Sequence, residues 1–196
     1  MTRDASATRA TFIGRFQPYH EGHHRVVEWA REEYDFVLAL GSPQQDRTPE
    51  NPLTATERET LIRACEPDLE IVRVPDENRG EAGYPVWAER LVDRTDADVV
   101  LSRNDLVQRL VREHTTARIE EQPEFDPERF SGTEVRRRIR AGEPWRELVP
   151  DCCADELAEL TDVIRRCGAD AGDGGDGGDG GGGGGGGGGD GGGGGG

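Results

Sequence analysis

The sequence predicts a single α/β domain built on a doubly wound parallel sheet, with helices added at its C-terminal end. Two observations carry this: short apolar runs of strand length occur five times, and each of the first four is followed by a stretch with apolar residues at helical spacing. Strand and helix alternating in this way imply parallel strands joined by right-handed crossovers.

The elements follow in order. TRATFIG (8–14) reads as the first strand, and RVVEWAREEY (25–34) as a helix presenting Val27, Ala30 and Tyr34 on one face. FVLALGS (36–42) is a buried strand. TATERETLIRACEP (54–67) is a helix with Thr54 and Glu57 spaced as a capping box and Pro67 as its stop. EIVRVP (70–75) is the third strand, PVWAERLVDR (85–94) a helix after a glycine-bearing loop, DVVLS (98–102) the fourth strand and DLVQRLVREH (105–114) its helix. ARIEEQPE (117–124) closes the sheet. Two helices follow, in SGTEVRRRIRAGEPW (131–145) and DCCADELAELTDVIRRCG (151–168), the latter with an apolar stripe of Cys153, Leu157, Leu160, Ile164 and Cys167. We expect an N-terminal extension over 1–7, one domain over 8–170 and a disordered Gly/Asp tail over 171–196, which has almost nothing to bury.

The charge balance narrows the function classes. All 24 basic residues are arginine, against 40 acidic residues, for a formal net charge of −16. Only four aspartates lie in the tail, so the acidity belongs to the domain. Such a surface repels a nucleic-acid backbone and an anionic membrane, while a local basic pocket for a small phosphate ligand remains compatible with it. Acid excess without lysine also suits a salt-rich cytoplasm, and a halophilic source is expected. No apolar run approaches the ~18 residues that span a bilayer, and the N-terminus lacks a signal-type segment, so a cytoplasmic protein is expected. Cys65, Cys152, Cys153 and Cys167 show no CxxC spacing. In that compartment we expect them reduced, and they receive no chemistry.

The stretch GRFQPYHEGHH (14–24) sits where the first strand gives way to the first helix, the place where α/β sheets hold ligands. His20 and His23 are three residues apart across a helix start, and Gly22 between them allows close backbone approach. A helix start also offers free N–H groups to phosphate. A single histidine there is more often a cap or surface residue; two, behind Arg15, point to a catalytic site. A zinc site is the competing reading, but no matching cysteine or HExxH glutamate accompanies the histidines. His24 receives no role.

SGTEVRRRIR (131–140) has an ordinary structural explanation: Ser131 and Glu134 fit a capping box, and Val135 and Ile139 a buried face. That leaves unexplained Arg136, Arg137, Arg138 and Arg140 near a helix start, where cations oppose the helix dipole. A bound anion would account for them, making this a second phosphate site.

Together these segments resemble the HxGH and SxTxxR signatures of the nucleotidyltransferase superfamily. GSPQQDRTPENPLTATER (41–58) and SGTEVRRRIRAGEPWRELVP (131–150) are similar, within it, to the archaeal nicotinamide-nucleotide adenylyltransferases, from about Thr11 to Val149. The resemblance implies a Rossmann-like fold and the transfer of AMP from ATP to nicotinamide mononucleotide (NMN), giving NAD and pyrophosphate, with Mg²⁺ accompanying ATP. It implies that Gly14, Arg15, Phe16 and Gln17 wrap the triphosphate, that His20, Gly22 and His23 face it, and that Ser131, Thr133 and Arg136 hold its outer phosphates. Arg15, His20, His23 and Arg136 would then be the catalytic residues. Trp87 matches the aromatic residue beside the nicotinamide ring, and Arg47 and Asn104 would contact NMN. Asp46 and Arg47 stand where the family commonly has serine and histidine, and SRND (102–105) replaces a segment with glycine and proline.

Such a reaction asks a protein for positioning and charge stabilisation, since the phosphate oxygen of the mononucleotide is itself the nucleophile. No carboxylate cluster is dedicated to the metal, consistent with Mg²⁺ held by ATP and water. The resemblance also implies a homo-oligomer, such as a hexamer, with small nucleotides as the other partners. Other acceptors (flavin mononucleotide, phosphopantetheine or glycerol phosphate) remain open, as does a nucleotide-binding regulator without turnover.

Overall fold

The computed structural model describes residues 7–77 and 79–169. The expected extension and Gly/Asp tail therefore lie, but for Ala7, outside the described residues. Five parallel strands form one sheet in the order β3-β2-β1-β4-β5: β1 Arg9–Gly14, β2 Asp35–Gly41, β3 Glu70–Val74, β4 Val99–Leu101 and β5 Arg118–Glu120. Phe12 at the centre sits in register between Leu38 and Leu101. Ala10, Val37, Leu38, Leu40, Val100 and Leu101 are fully or almost fully buried, as expected for a parallel sheet covered on both faces.

The chain moves outward from β1 through β2 to β3 and then returns to the other side of β1 with β4. Consecutive connections therefore diverge at the C-terminal ends of β1 and β4, which opens a crevice there. The helices are α1 Glu21–Glu33, α2 Ala55–Cys65, α3 Tyr84–Thr95, α4 Asp105–His114, α5 Gly132–Ala141 and α6 Ala154–Ala169. The Thr54–Glu57 capping box of α2 is complete in both directions.

Several expectations need correction. Helix α1 begins at Glu21 rather than Arg25, so the HxGH segment forms its first turn, with His20 as the N-cap. At α5 only half of a capping box forms: Ser131 Oγ accepts from the Glu134 N–H at 3.2 Å, but the Glu134 carboxylate turns to Arg137 and Arg138. The cysteines are not all reduced. Cys65, at the end of α2, and Cys152, in a short turn before α6, are 87 residues apart in sequence but have Cα atoms 5.1 Å apart and are joined by a disulfide. Cys153 and Cys167 are free and buried, Cys153 within the main core cluster with Leu157 and Ile164 of α6.

Candidate active site

The site is assembled on the C-terminal edge of the sheet. Past the end of β1, Phe16 adopts a left-handed backbone (φ 51°) and its ring folds back over Gly14, where any Cβ would lie 2.8 Å from it. The cis peptide Gln17–Pro18 follows. The Gln17 side chain is spent on structure: its amide donates to the Leu53 carbonyl at 2.8 Å and accepts from the Leu53 N–H at 3.0 Å. This two-way bond fastens the 51–54 segment against the β1 loop.

The two signature histidines meet face to face. Their rings stack with centroids 3.6 Å apart and 25° from parallel, and the Nδ1 of His20 accepts from the His23 N–H at 3.4 Å. His23 is further boxed in by the edge-on ring of Phe16 and by the stacked ring of Tyr19. Burial pushes the His20 pKa down to about 3 and holds that of His23 well below its ordinary value, with His20 adding to the effect. Both imidazoles are therefore neutral at physiological pH, and each can offer one N–H to a ligand without carrying charge. The buried Nδ1 of His23 has no hydrogen-bond partner in the protein. His24 faces elsewhere, toward the Tyr19 hydroxyl and Glu66.

The second signature docks onto the first. A Cβ at Gly132 would stand 2.7 Å from the Gln17 carbonyl oxygen, so only glycine lets the start of α5 approach this closely. Arg136 then donates from Nη1 to that same carbonyl at 2.5 Å and from Nη2 to Thr133 Oγ1 at 3.3 Å, while its buried Nε has no partner. Burial, with Arg140 and Arg15 nearby, lowers its pKa to about 10, so it remains charged at neutral pH. The other arginines of this helix are engaged in structural contacts: Arg137 with Glu134 and Glu143, Arg138 with Glu134 and Glu147, and Arg140 with the carbonyls of Ile164 and Pro49. All four thus bond groups of the chain itself, and what sets Arg136 apart is its buried Nε without a partner.

A cavity of about 650 Å³ opens beside this junction, at the ends of β1, β2 and β4. Gly14, Arg15, Trp87 and Asn104 line it. Trp87 is half-buried and also packs on the smaller core cluster around Val74 and Val100, so it serves both core and cavity wall. Asn104 caps α4, its side chain accepting from the Val107 N–H at 3.1 Å. Arg47 lies outside the lining. Its guanidinium donates to the Pro52 carbonyl and pairs with Glu57.

Apart from Arg47, the expected residues thus form two groups joined at Gly14–Gln17: a cavity group, and a partly buried group of Phe16, Gln17, His20, Gly22 and His23 onto which the start of α5 docks through Arg136. Ser42, Asp76 and Ser102, which also line the cavity, were not anticipated. Each stands within two residues of the C-terminal end of β2, β3 or β4, and that position was the available signal.

Residues 11–138 match the model of the family described as cytidylyltransferase-like. The chain belongs to the cytidylyltransferase-like family. Among relatives in this family, it is 38% identical to the nicotinamide-nucleotide adenylyltransferase of Methanosarcina barkeri, over 81% of this chain and 92% of that protein. To the protein of the same name from Haloarcula marismortui it is 39% identical, over 80% of this chain and 84% of the relative. A similar fold occurs in a bifunctional NMN adenylyltransferase/ADP ribose pyrophosphatase from Francisella tularensis solved with AMP and a manganese ion. The TM-score is 0.68 at 16% identity, covering 85% of this chain and 53% of that one. The chain thus spans about half of that two-activity protein, and at this identity the likeness concerns the fold.

Proposed function

We propose that this chain is a nicotinamide-nucleotide adenylyltransferase, moving the AMP unit of ATP onto the phosphate of NMN to yield NAD and pyrophosphate. The geometric observation that carries the reading is the junction at Gln17. There the two signature segments meet, with two stacked neutral imidazoles and one half-buried arginine, while the adjoining Gly14 and Arg15 line a cavity of about 650 Å³. The acceptor is taken from the similarity to the archaeal relatives.

In this reading a phosphate oxygen of NMN attacks the α-phosphorus, the bond to the bridging α–β oxygen breaks, and the electron pair leaves with pyrophosphate. No side-chain nucleophile or base is required. His20 and His23 donate N–H to phosphate oxygens as charge develops, and Arg136 with Arg15 balances the departing pyrophosphate. Because the imidazoles are already neutral, they can donate without exchanging a proton with solvent. Trp87 and Asn104 form the NMN side of the cavity, and Arg47, expected to contact NMN as well, is paired with Glu57.

Among the described residues no three His, Cys, Asp or Glu side chains converge on a point that could hold a metal. In this reading Mg²⁺ comes as a companion of ATP, held by phosphate and water. When bound, it would neutralise phosphate charge. No helix among the described residues is long and apolar enough to cross a membrane. A cytoplasmic place, a salt-rich environment and self-association belong to the proposal.

The test is to incubate the purified chain in molar KCl with Mg²⁺, ATP and, separately, NMN, flavin mononucleotide or phosphopantetheine, resolving the products by chromatography. NAD formed from NMN alone supports the reading. A different adenylylated product moves the acceptor, and the absence of pyrophosphate release with all three would overturn catalysis by this chain.

A further inference from the structure

Arg58, on α2, is fully buried, and among the described residues it has no carboxylate bonded to it. Its guanidinium is instead bound by backbone carbonyls. Nη1 donates to Arg15 O at 2.8 Å and to Gly41 O at 2.9 Å, Nη2 to Ser42 O at 3.1 Å, and Nε to Thr54 O at 3.3 Å. One planar fork thus ties the loop that leaves β1 to the loop that leaves β2 and anchors both to the start of α2. Burying a cation is costly, and carbonyl dipoles alone are an unusual way to offset it. Burial lowers its pKa to about 10, so the charge persists at neutral pH.

The backbone next to those carbonyls has a second distinction. Phe16 follows the Arg15 carbonyl and Ser42 follows the Gly41 carbonyl, and both are non-glycine residues held left-handed, at φ 51° and 48°. Such conformations persist only where the surroundings over-determine them, and they gather at functional sites. In a trans peptide the N–H points opposite to the C=O. With the Arg15 and Gly41 oxygens drawn to Arg58, the N–H groups of Phe16 and Ser42 are turned away from it. Arg15, Gly41 and Ser42 all line the cavity, so the loops that Arg58 organises are cavity walls.

We infer that Arg58 is a positioning residue for the nucleotide site: it withdraws the carbonyls of the β1 and β2 loops from the anionic ligand and leaves the N–H groups of Phe16 and Ser42 to receive phosphate. The inference rests on the proposed function for the identity of the nucleotides, but the loop geometry stands independently of turnover. The sequence offers no periodicity that would single out Arg58, since in TATER it reads as one more helix arginine.

The test compares wild type with Arg58→Lys and Arg58→Met by calorimetric titration with Mg·ATP and with NMN, alongside melting and NAD formation. Lysine keeps the charge but not the planar fork, so both variants should bind at least one nucleotide tenfold or more weakly below their melting temperatures, with KM rising more than kcat falls. Folded variants that have lower melting temperatures but bind both nucleotides within twofold of wild type would reduce Arg58 to a stabilising role and overturn the inference. Hydrogen exchange on the wild type gives a reading that needs no variant. Mg·ATP should slow exchange at Phe16 and Ser42, and unchanged rates at both would count equally against it. Wild type that binds ATP but makes no NAD would sink the proposed function and leave this inference standing.

Discussion

His20 and His23 lie ring on ring, 3.6 Å between centroids, with His20 capping the helix that carries His23 and accepting from its N–H. Stacked and buried in this way, they cannot both carry charge. The arrangement selects the neutral form of each and turns a pair of potential bases into a pair of directed donors.

That selection predicts a pH dependence. Both folded-state pKa values lie below the ordinary histidine value, His20 at about 3 and His23 well below 6.5. Below about pH 6.5 the unfolded chain binds protons that the folded chain refuses. Their contribution to stability is therefore complete above that pH and is lost as pH falls from there toward 3, by up to about 1.4 kcal/mol per pH unit for each histidine. Denaturant titrations at pH 7, 6 and 5 should show it. A His20→Ala, His23→Ala double variant should lose this slope, and each single variant should lower kcat by about 10²-fold or more. A rate profile with a limb near pH 6.5 that vanished in either variant would mean the imidazoles titrate in catalysis, against the structure.

The Cys65–Cys152 bond closes a loop of 87 residues between α2 and the turn before α6. Closing a loop of this size restricts the unfolded chain, worth roughly 2–5 kcal/mol. A reductant or the Cys65→Ser variant should lower the melting temperature by about 5–15 °C. The neighbouring Cys153 does not substitute, since burial pushes its thiol up to about 12 and keeps it protonated. Equal melting curves with and without reductant would show that the thiols are unbonded in solution.

Much of the scaffold was legible because it rests on local chemistry. The alternation of apolar runs and helical faces located all five strands, and Thr54 with Glu57 marked the start of α2. What stayed hidden depends on contacts across the chain. Only the fold shows that Gln17 bonds both backbone groups of Leu53, that Arg137 and Arg138 answer glutamates while Arg140 answers carbonyls, and that Cys65 meets Cys152. The pairing of Arg47 with Glu57, ten residues away, is likewise a contact that no motif marks. Charge in a sequence marks where an anion could bind; which charges remain unspent is decided by folding.

Trp87 packs its half-buried ring on the smaller core cluster and also walls the cavity. The two roles can be separated by substitution. Trp87→Phe keeps an aromatic face and should leave KM for NMN within about threefold, whereas Trp87→Ala should raise it at least tenfold, the scale of a lost stacking contact of about 1.5 kcal/mol. KM for ATP should change less in both. If the two substrates lose affinity together in Trp87→Ala, the residue acts only through core packing.

Salt has two opposite effects on this chain. It screens ion pairs such as Arg137–Glu143 and Arg146–Asp155, which are exposed and individually weak. It also screens the mutual repulsion of a chain with net charge −16, which acts over distances of about 30 Å at 0.01 M salt but about 3 Å at 1 M. The pairs are local and individually weak, while the repulsion is shared by every acidic group, so screening should stabilise the fold on balance. The melting temperature should therefore rise between 0.05 M and 2 M KCl. Because KCl screens charge without the strong exclusion effect of sulfate, the rise should be steepest below about 0.5 M, where the screening length changes most. A melting temperature that falls over that range would mean the arginine–carboxylate pairs outweigh the repulsion, and the acidic surface would then need an explanation other than adaptation to salt.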